Sequence, residues 1–157
     1  MEAIHIFTDG SSRGNPGPGG YGIVLKYKSF YKELAKGFRL TTNNRMELLA
    51  VIDALKVLKN KSLPIIIYSD SKYVIDAIEK KWVIAWKQKN FAKKKNKDLW
   101  LEYLALSKDL NLTFQWVKGH AGHPENERCD YLAVQAALGN ELFIDQYFEE
   151  VQQHEND

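Results

Sequence analysis

Two periodicities divide this chain. Residues 3–7 (AIHIF) alternate in burial preference and are rich in β-formers, which predicts a strand ending near Asp9. Residues 21–27 (YGIVLKY) and 30–40 (FYKELAKGFRL) predict two more strands, and the three together predict an antiparallel meander. The Gly/Pro-rich stretch between the first two reads as its first turn. The period then changes. Residues 42–60 (TNNRMELLAVIDALKVLKN) predict a helix that Asn43 or Asn44 can cap, with Glu47 in its first turn. Residues 63–70 (LPIIIYSD) form a short continuous apolar run, the mark of a buried strand. Helices follow over 71–81 and 97–110, the latter with Leu99, Tyr103, Leu104 and Leu106 near one face. Residues 112–119 predict a strand, and 125–139 a helix stopped by Gly139. The order βββαβααβα describes a mixed α/β fold with five strands in a central sheet. Phe143, Ile144, Tyr147, Phe148 and Val151 recur at helical spacing, so the acidic tail of about 140–157 is expected to dock as a short helix.

The length of 157 residues fits one domain spanning 1–157. No apolar run reaches membrane-spanning length, and the N-terminus lacks the basic start and apolar stretch of a signal peptide. Cys129 is the only cysteine, so no internal disulfide can form, and a reducing, cytoplasmic setting is expected.

Charge adds a partner class. Residues 80–97 hold eight lysines and no acid; set against the total of +2, they leave −6 for the remainder. Residues 141–157 carry six acids and no Lys or Arg. A basic patch on an acidic body points to a polyanionic partner.

Two aspartates carry the candidate chemistry. Asp9 and Asp70 each end an apolar strand and each precedes small residues, in FTDGS and YSDSK. Carboxylates at strand ends lie where α/β sheets place ligand sites. Each acid alone also fits a plainer role: Asp70 as a helix cap, Glu47 as a first-turn dipole partner, Asp130 as a solvated helix residue. One arrangement explains all four. Clustered carboxylates repel, and divalent cations relieve the repulsion; oxygen-only ligands favour magnesium or manganese. The glycine-rich stretch is no nucleotide P-loop, because no Gly-Lys-Ser/Thr follows it.

The segments FTDGSSRGNPGPGGYG, TTNNRMEL, YSDSKYV and WVKGHAGHPENERCD, in that order, resemble the successive signatures of bacterial-type ribonuclease HI. The resemblance spans about residues 4–138. It implies a ribonuclease H-like fold: a five-stranded mixed sheet, three strands antiparallel and then parallel ones, flanked by helices. It implies an endonuclease that cleaves the RNA strand of RNA–DNA hybrids with two Mg²⁺ or Mn²⁺ ions, leaving 5′-phosphate and 3′-hydroxyl ends. The alternatives are another nuclease of the same fold and a non-catalytic hybrid-binding module. The family's catalytic, metal-binding acids correspond to Asp9, Glu47, Asp70 and Asp130, and its mobile-loop histidine to His120. Glu127 lies near the site in family members. His123, His5 and His154 are read as bland.

The same resemblance assigns the substrate surface. Asn15, Asn43 and Asn44 are expected against the 2′-hydroxyls of the RNA strand, with Thr42 near a DNA phosphate. The glycine-rich segment becomes a turn that also lets backbone approach the minor groove. Lys72 stands where many bacterial members have glutamine; an ammonium cannot accept a hydrogen bond, which favours phosphate there. The lysine run matches the family's basic handle, which grips the DNA strand, through Lys87, Lys93, Lys94 and Lys95. Trp82, Trp86 and Trp100 interleave with it, either as core or as the lining of a deoxyribose groove. Cys129, inside a helix, is expected to be a buried inert thiol. A monomer with an RNA–DNA hybrid partner and no membrane association completes the expectation.

Overall fold

The computed structural model describes residues 2–119 and 122–155. One six-stranded sheet runs in the order β5-β4-β1-β2-β3-β6. Its first three strands are β1 (Ile4–Ser12), β2 (Gly17–Tyr27) and β3 (Phe30–Thr41), paired antiparallel as the meander predicted. α1 (Asn43–Lys56) leads to β4 (Ile65–Ser69), which pairs parallel with β1. α2 (Lys72–Glu79), α3 (Trp82–Gln88) and α4 (Lys97–Ser107) precede β5 (Leu112–Trp116), parallel to β4. α5 (Pro124–Leu138) crosses back, followed by β6 (Leu142–Phe143), α6 (Gln146–Glu150) and a 3₁₀ turn, Gln152–His154.

The sixth strand corrects the expected five. β6 is two residues long and adds in parallel to the β3 edge, Leu142 opposite Gly37 and Phe143 opposite Phe38. No periodicity can show in two residues. α3 was also absent from the sequence reading, since its seven residues span only two turns and show no helical repeat; Val83 is nonetheless buried. The tail docks through α6, as expected, with Phe148 buried.

The glycine-rich stretch is mostly strand. β1 continues through Asp9 to Ser12, β2 starts at Gly17, and Asp9 pairs with Gly22. The turn is confined to residues 13–16. Glycine is required here for space. A Cβ on Gly22 would lie 2.2 Å from the carbonyl oxygen of Cys129, and one on Gly20 2.6 Å from that of Ala133. α5 thus lies directly on the backbone of β2. Similarly, a Cβ on Gly10 would lie 2.4 Å from the backbone nitrogen of Glu47, so Gly10 admits the start of α1.

α1 is buried along most of its length, with Met46, Leu48, Val51, Ile52 and Leu55 fully enclosed. It packs between the sheet, where Ile6, Ile23, Ile65 and Ile67 are also fully enclosed, and α4, whose Trp100 is the largest fully buried side chain. Its cap is Thr42 rather than Asn43 or Asn44: the Thr42 hydroxyl accepts the Arg45 N–H at 3.2 Å. Among the described residues no helix is long and apolar enough to cross a membrane.

Candidate active site

Three elements converge on the acids. β1 and β4 run parallel with Phe7 opposite Tyr68, and Asp9 and Asp70 each stand two residues farther along. Gly10 brings the first turn of α1, and with it Glu47, against the same point. One carboxylate oxygen from each of Asp9, Glu47 and Asp70 lies within 4.8 Å of the others. Asp130 arrives from α5, the helix that Gly22 admits opposite Asp9, and both its charge and its hydrogen bond act on the Asp9 carboxyl.

Burial disfavours ionisation in this cluster, and mutual repulsion adds to it. The Asp9 carboxyl is pushed up to about 8, first by burial and then by the charges of Asp70 and Asp130; the Gly10 N–H, donating at 2.9 Å, pulls the other way. Glu47 is raised well above the usual carboxylate range, again by burial first and then by Asp9 and Asp70. Its Oε1 is buried with no hydrogen-bond partner. A buried acceptor left in that state normally has a purpose, here the space for a cation. Asp70 is not the cap of α2; Ser71 is, its hydroxyl accepting from the Val74 N–H at 3.2 Å. The Asp70 carboxylate is therefore left to the cluster.

The acids line a cavity of ≈ 310 Å³, shared with Asn43, Lys118, His123, Asn126 and Glu127. His123, expected to be bland, thus sits in the cavity wall, together with Glu127. His120 lies outside the described residues. His5 serves the sheet, its Nδ1 2.7 Å from the Tyr68 hydroxyl. Cys129 is fully buried, its thiol 3.2 Å from the Phe7 carbonyl oxygen and pushed up by burial, which leaves it unreactive.

A larger groove, ≈ 640 Å³, gathers most of the expected substrate residues: Asn15, Thr42, Asn44, Trp82, Trp86, Lys94 and Lys95 all line it. Asn43 faces the acid cavity instead, its N–H bonded to the Asn15 side chain at 3.1 Å. The segment 42–44 therefore borders both spaces. Lys87, in the last turn of α3, and Lys93 are not among the groove's lining residues. The tryptophans divide between the two roles open to them. Trp100 is core, its indole N–H donating to Tyr73 at 2.9 Å. Trp82 is 44% exposed, and Trp86 bridges the two, with Lys94 5.0 Å above its ring.

Two features escaped the sequence reading. Lys72 lies 4.2 Å above the Trp116 ring, and the Trp116 indole N–H donates to the Asp70 carbonyl at 3.3 Å. In addition, the buried Arg45 joins α1 to Asp98 of α4 and to Asp145 and Gln152 of the tail. Arg45 lies within the quoted segment TTNNRMEL, but its partners are some 50 and 100 positions away, where no spacing rule reaches.

The RNase H family model matches residues 1–138. The chain belongs to the RNase H family. Ribonuclease H of Desulforamulus reducens is 53% identical over 150 residues, covering 92% of this chain and 94% of that protein. Ribonuclease HI of Helicobacter pylori (strain 26695) is 55% identical over 133 residues, covering 85% and 92%. Among solved structures, LC9-RNase H1, described as a type 1 RNase H with the type 2 active-site motif, superposes with a TM-score of 0.79 at 29% identity, covering 97% of this chain and 84% of that one. Membership makes the chain a metal-dependent nuclease of the RNase H family, and the acid cluster is where its fold offers a metal the most oxygen ligands among the described residues.

Proposed function

We propose that this protein is an endonuclease that hydrolyses the RNA strand of RNA–DNA hybrids, leaving 5′-phosphate and 3′-hydroxyl ends. One observation carries the reading. Segment 42–44 borders both the acid cavity and the tryptophan–lysine groove, so a duplex laid across it presents one strand to each. Asp9 and Asp70 are the central metal ligands, with Glu47 and Asp130 on either side. The site fits Mg²⁺ or Mn²⁺: its donors are all carboxylate oxygens, and the orphaned Oε1 of Glu47 awaits a cation. Two such ions, when bound, supply an activated water and charge neutralisation at the departing oxygen.

The remaining residues distinguish the strands. Asn15, Asn43 and Asn44 offer amides that donate to and accept from 2′-hydroxyls, which only RNA carries. Thr42 accepts from Arg45 but keeps its hydroxyl proton for a DNA phosphate. Trp82 and Trp86 give the DNA sugars an apolar wall, with Lys94 and Lys95 beside it and Lys87 and Lys93 on the same protrusion for phosphates. His120, by the family resemblance, aids proton transfer or product release. We place the enzyme in the cytoplasm as a monomer, a setting supported by its lone, buried thiol.

The test is incubation of the protein with labelled hybrid, DNA duplex and RNA duplex, in Mg²⁺ or in EDTA. Loss of the hybrid's RNA strand alone, in Mg²⁺ alone, is the expected result. Cleavage of either homoduplex at a comparable rate would refute the strand assignment.

A further inference from the structure

The tail forms a wall of the ≈ 640 Å³ groove, through Phe148, Gln152, Gln153 and Glu155. The proposed nuclease chemistry uses none of them. This wall opposes its neighbour in charge: Lys94 and Lys95 bring cations to the groove, and Glu155 brings a carboxylate to the same space. No Lys or Arg between residues 141 and 157 offsets it. Three other tail acids are engaged elsewhere. Asp145 and Glu149 are ion-paired with Arg45 and Arg39, and Glu150 accepts from the Gln146 amide at 3.3 Å. Glu155 makes no ion pair among the described residues.

The glutamines of this wall do not compensate. The Gln153 amide donates to the Glu149 carbonyl at 2.7 Å, and the Gln152 amide to the Asn96 side chain at 3.0 Å. Both donors are directed at the protein rather than at a ligand's phosphate. The wall is also held in place. Gln152 is buried and accepts from the Asn96 N–H at 2.9 Å, and the turn it begins returns the Glu155 N–H to the Gln152 carbonyl at 3.0 Å. The carboxylate is thus carried by backbone tied to a buried anchor three residues away.

We infer that Glu155 limits the affinity of the substrate groove: its carboxylate opposes Lys94 and Lys95, confines the DNA strand's phosphates to the lysine side and weakens the hold on the hybrid. This role rests on the proposed hybrid cleavage, which puts the DNA strand in the groove. A phosphate entering there is attracted by the lysines and repelled by the carboxylate. Once the strand is bound, the carboxylate lies in the field of the phosphates and takes up a cation. Fewer cations are then released in total than the lysines alone would release. Tight ground-state binding does not speed the chemical step, so a groove restrained in this way loses no catalytic power.

The test is fluorescence anisotropy of a labelled RNA–DNA hybrid titrated with the full chain in EDTA, over a series of salt concentrations. Glu155→Gln should tighten binding by ~2–5-fold at low salt, the range of one exposed charge interaction, and Glu155→Lys by more. In Glu155→Gln the slope of log affinity against log salt should steepen by as much as ~0.9, and the gain should vanish near ~1 M salt. Glu141→Gln removes the same charge from an exposed tail position that does not line the groove, and should alter neither quantity. The sign separates this role from a structural one, because damage to the tail would loosen the groove and weaken binding. Unchanged or weaker binding by Glu155→Gln, or an equal gain in Glu141→Gln, overturns the inference. If the parent still cuts the hybrid's RNA strand in Mg²⁺, the proposed function survives that result. A parent that does not cut it refutes the proposed function, and the role of Glu155 falls with it.

Discussion

Arg45 grips Asp145 with one edge of its guanidinium, Nε to Oδ2 at 2.7 Å and Nη2 to Oδ1 at 2.9 Å, across 100 residues of sequence. Both are buried. The same guanidinium holds Asp98 at 2.7 and 2.8 Å, and Asp145 also accepts from the Thr41 hydroxyl at 2.7 Å. Gln152 completes the joint: it accepts from the Asn96 N–H at 2.9 Å and donates to the Asn96 side chain at 3.0 Å. Asn96 follows Lys95, so the tail fixes the root of the basic protrusion relative to the helix that carries Glu47.

Asp145→Ala should therefore destabilise the fold by ~3–5 kcal/mol, the usual consequence of stranding one partner of a buried ion pair. Urea unfolding measures it. A loss below about 1 kcal/mol would mean that Asp98 alone satisfies Arg45.

Lys72 offers a prediction about the substrate. Its ammonium lies on Trp116, whose indole is tied to Asp70, so a phosphate bound there would be held in fixed relation to the acids. Lys72→Gln should reduce the slope of log affinity against log salt by about 0.9, the share of one phosphate contact, and leave kcat nearly unchanged. An unaltered slope would place Lys72 off the nucleic-acid path.

The acid cluster sets a pH dependence in the absence of metal. Asp9, raised to about 8 in the native state, ionises near 4 when unfolded. Between those values the unfolded chain binds fewer protons, so stability falls as pH rises from 4 to 8. Glu47 is displaced in the same direction. In EDTA, Asp9→Asn should melt higher than the parent at pH 8 and show a shallower decline over that window. Mg²⁺ should raise the parent's melting temperature more than the variant's. A variant that melts below the parent at pH 8 in EDTA would make Asp9 a structural residue.

Much of this site was legible because its acids break strong patterns. Asp9 and Asp70 each interrupt an apolar run, and Glu47 opens a helix whose apolar positions are dense. The glycines were visible but misread: their spacing records where α5 and α1 press on the sheet, and such contacts exist only after the chain folds. Hence β1 and β2 run on where a turn was expected. The lysines of 80–97 announced a polyanion, but α3 among them is only seven residues long, too short for its apolar residues to show a helical repeat. Trp116 was read only as a strand residue, since its tie to Asp70 runs through backbone. Asp145 and Gln152 belong to an acidic tail expected to dock through its apolar residues, and Arg45, buried in α1, gave no local sign of needing them.

Single-turnover cleavage of one labelled hybrid in Mg²⁺, by the parent and by Glu47→Gln and Asp70→Asn, bears most directly on the proposed chemistry, with hybrid affinity measured separately by anisotropy. Each substitution removes a cation ligand while keeping shape, so cleavage should fall by several orders of magnitude and affinity should change by no more than a few-fold. Either variant cutting at a rate near the parent's would contradict the assignment of these acids as the metal-binding catalytic centre.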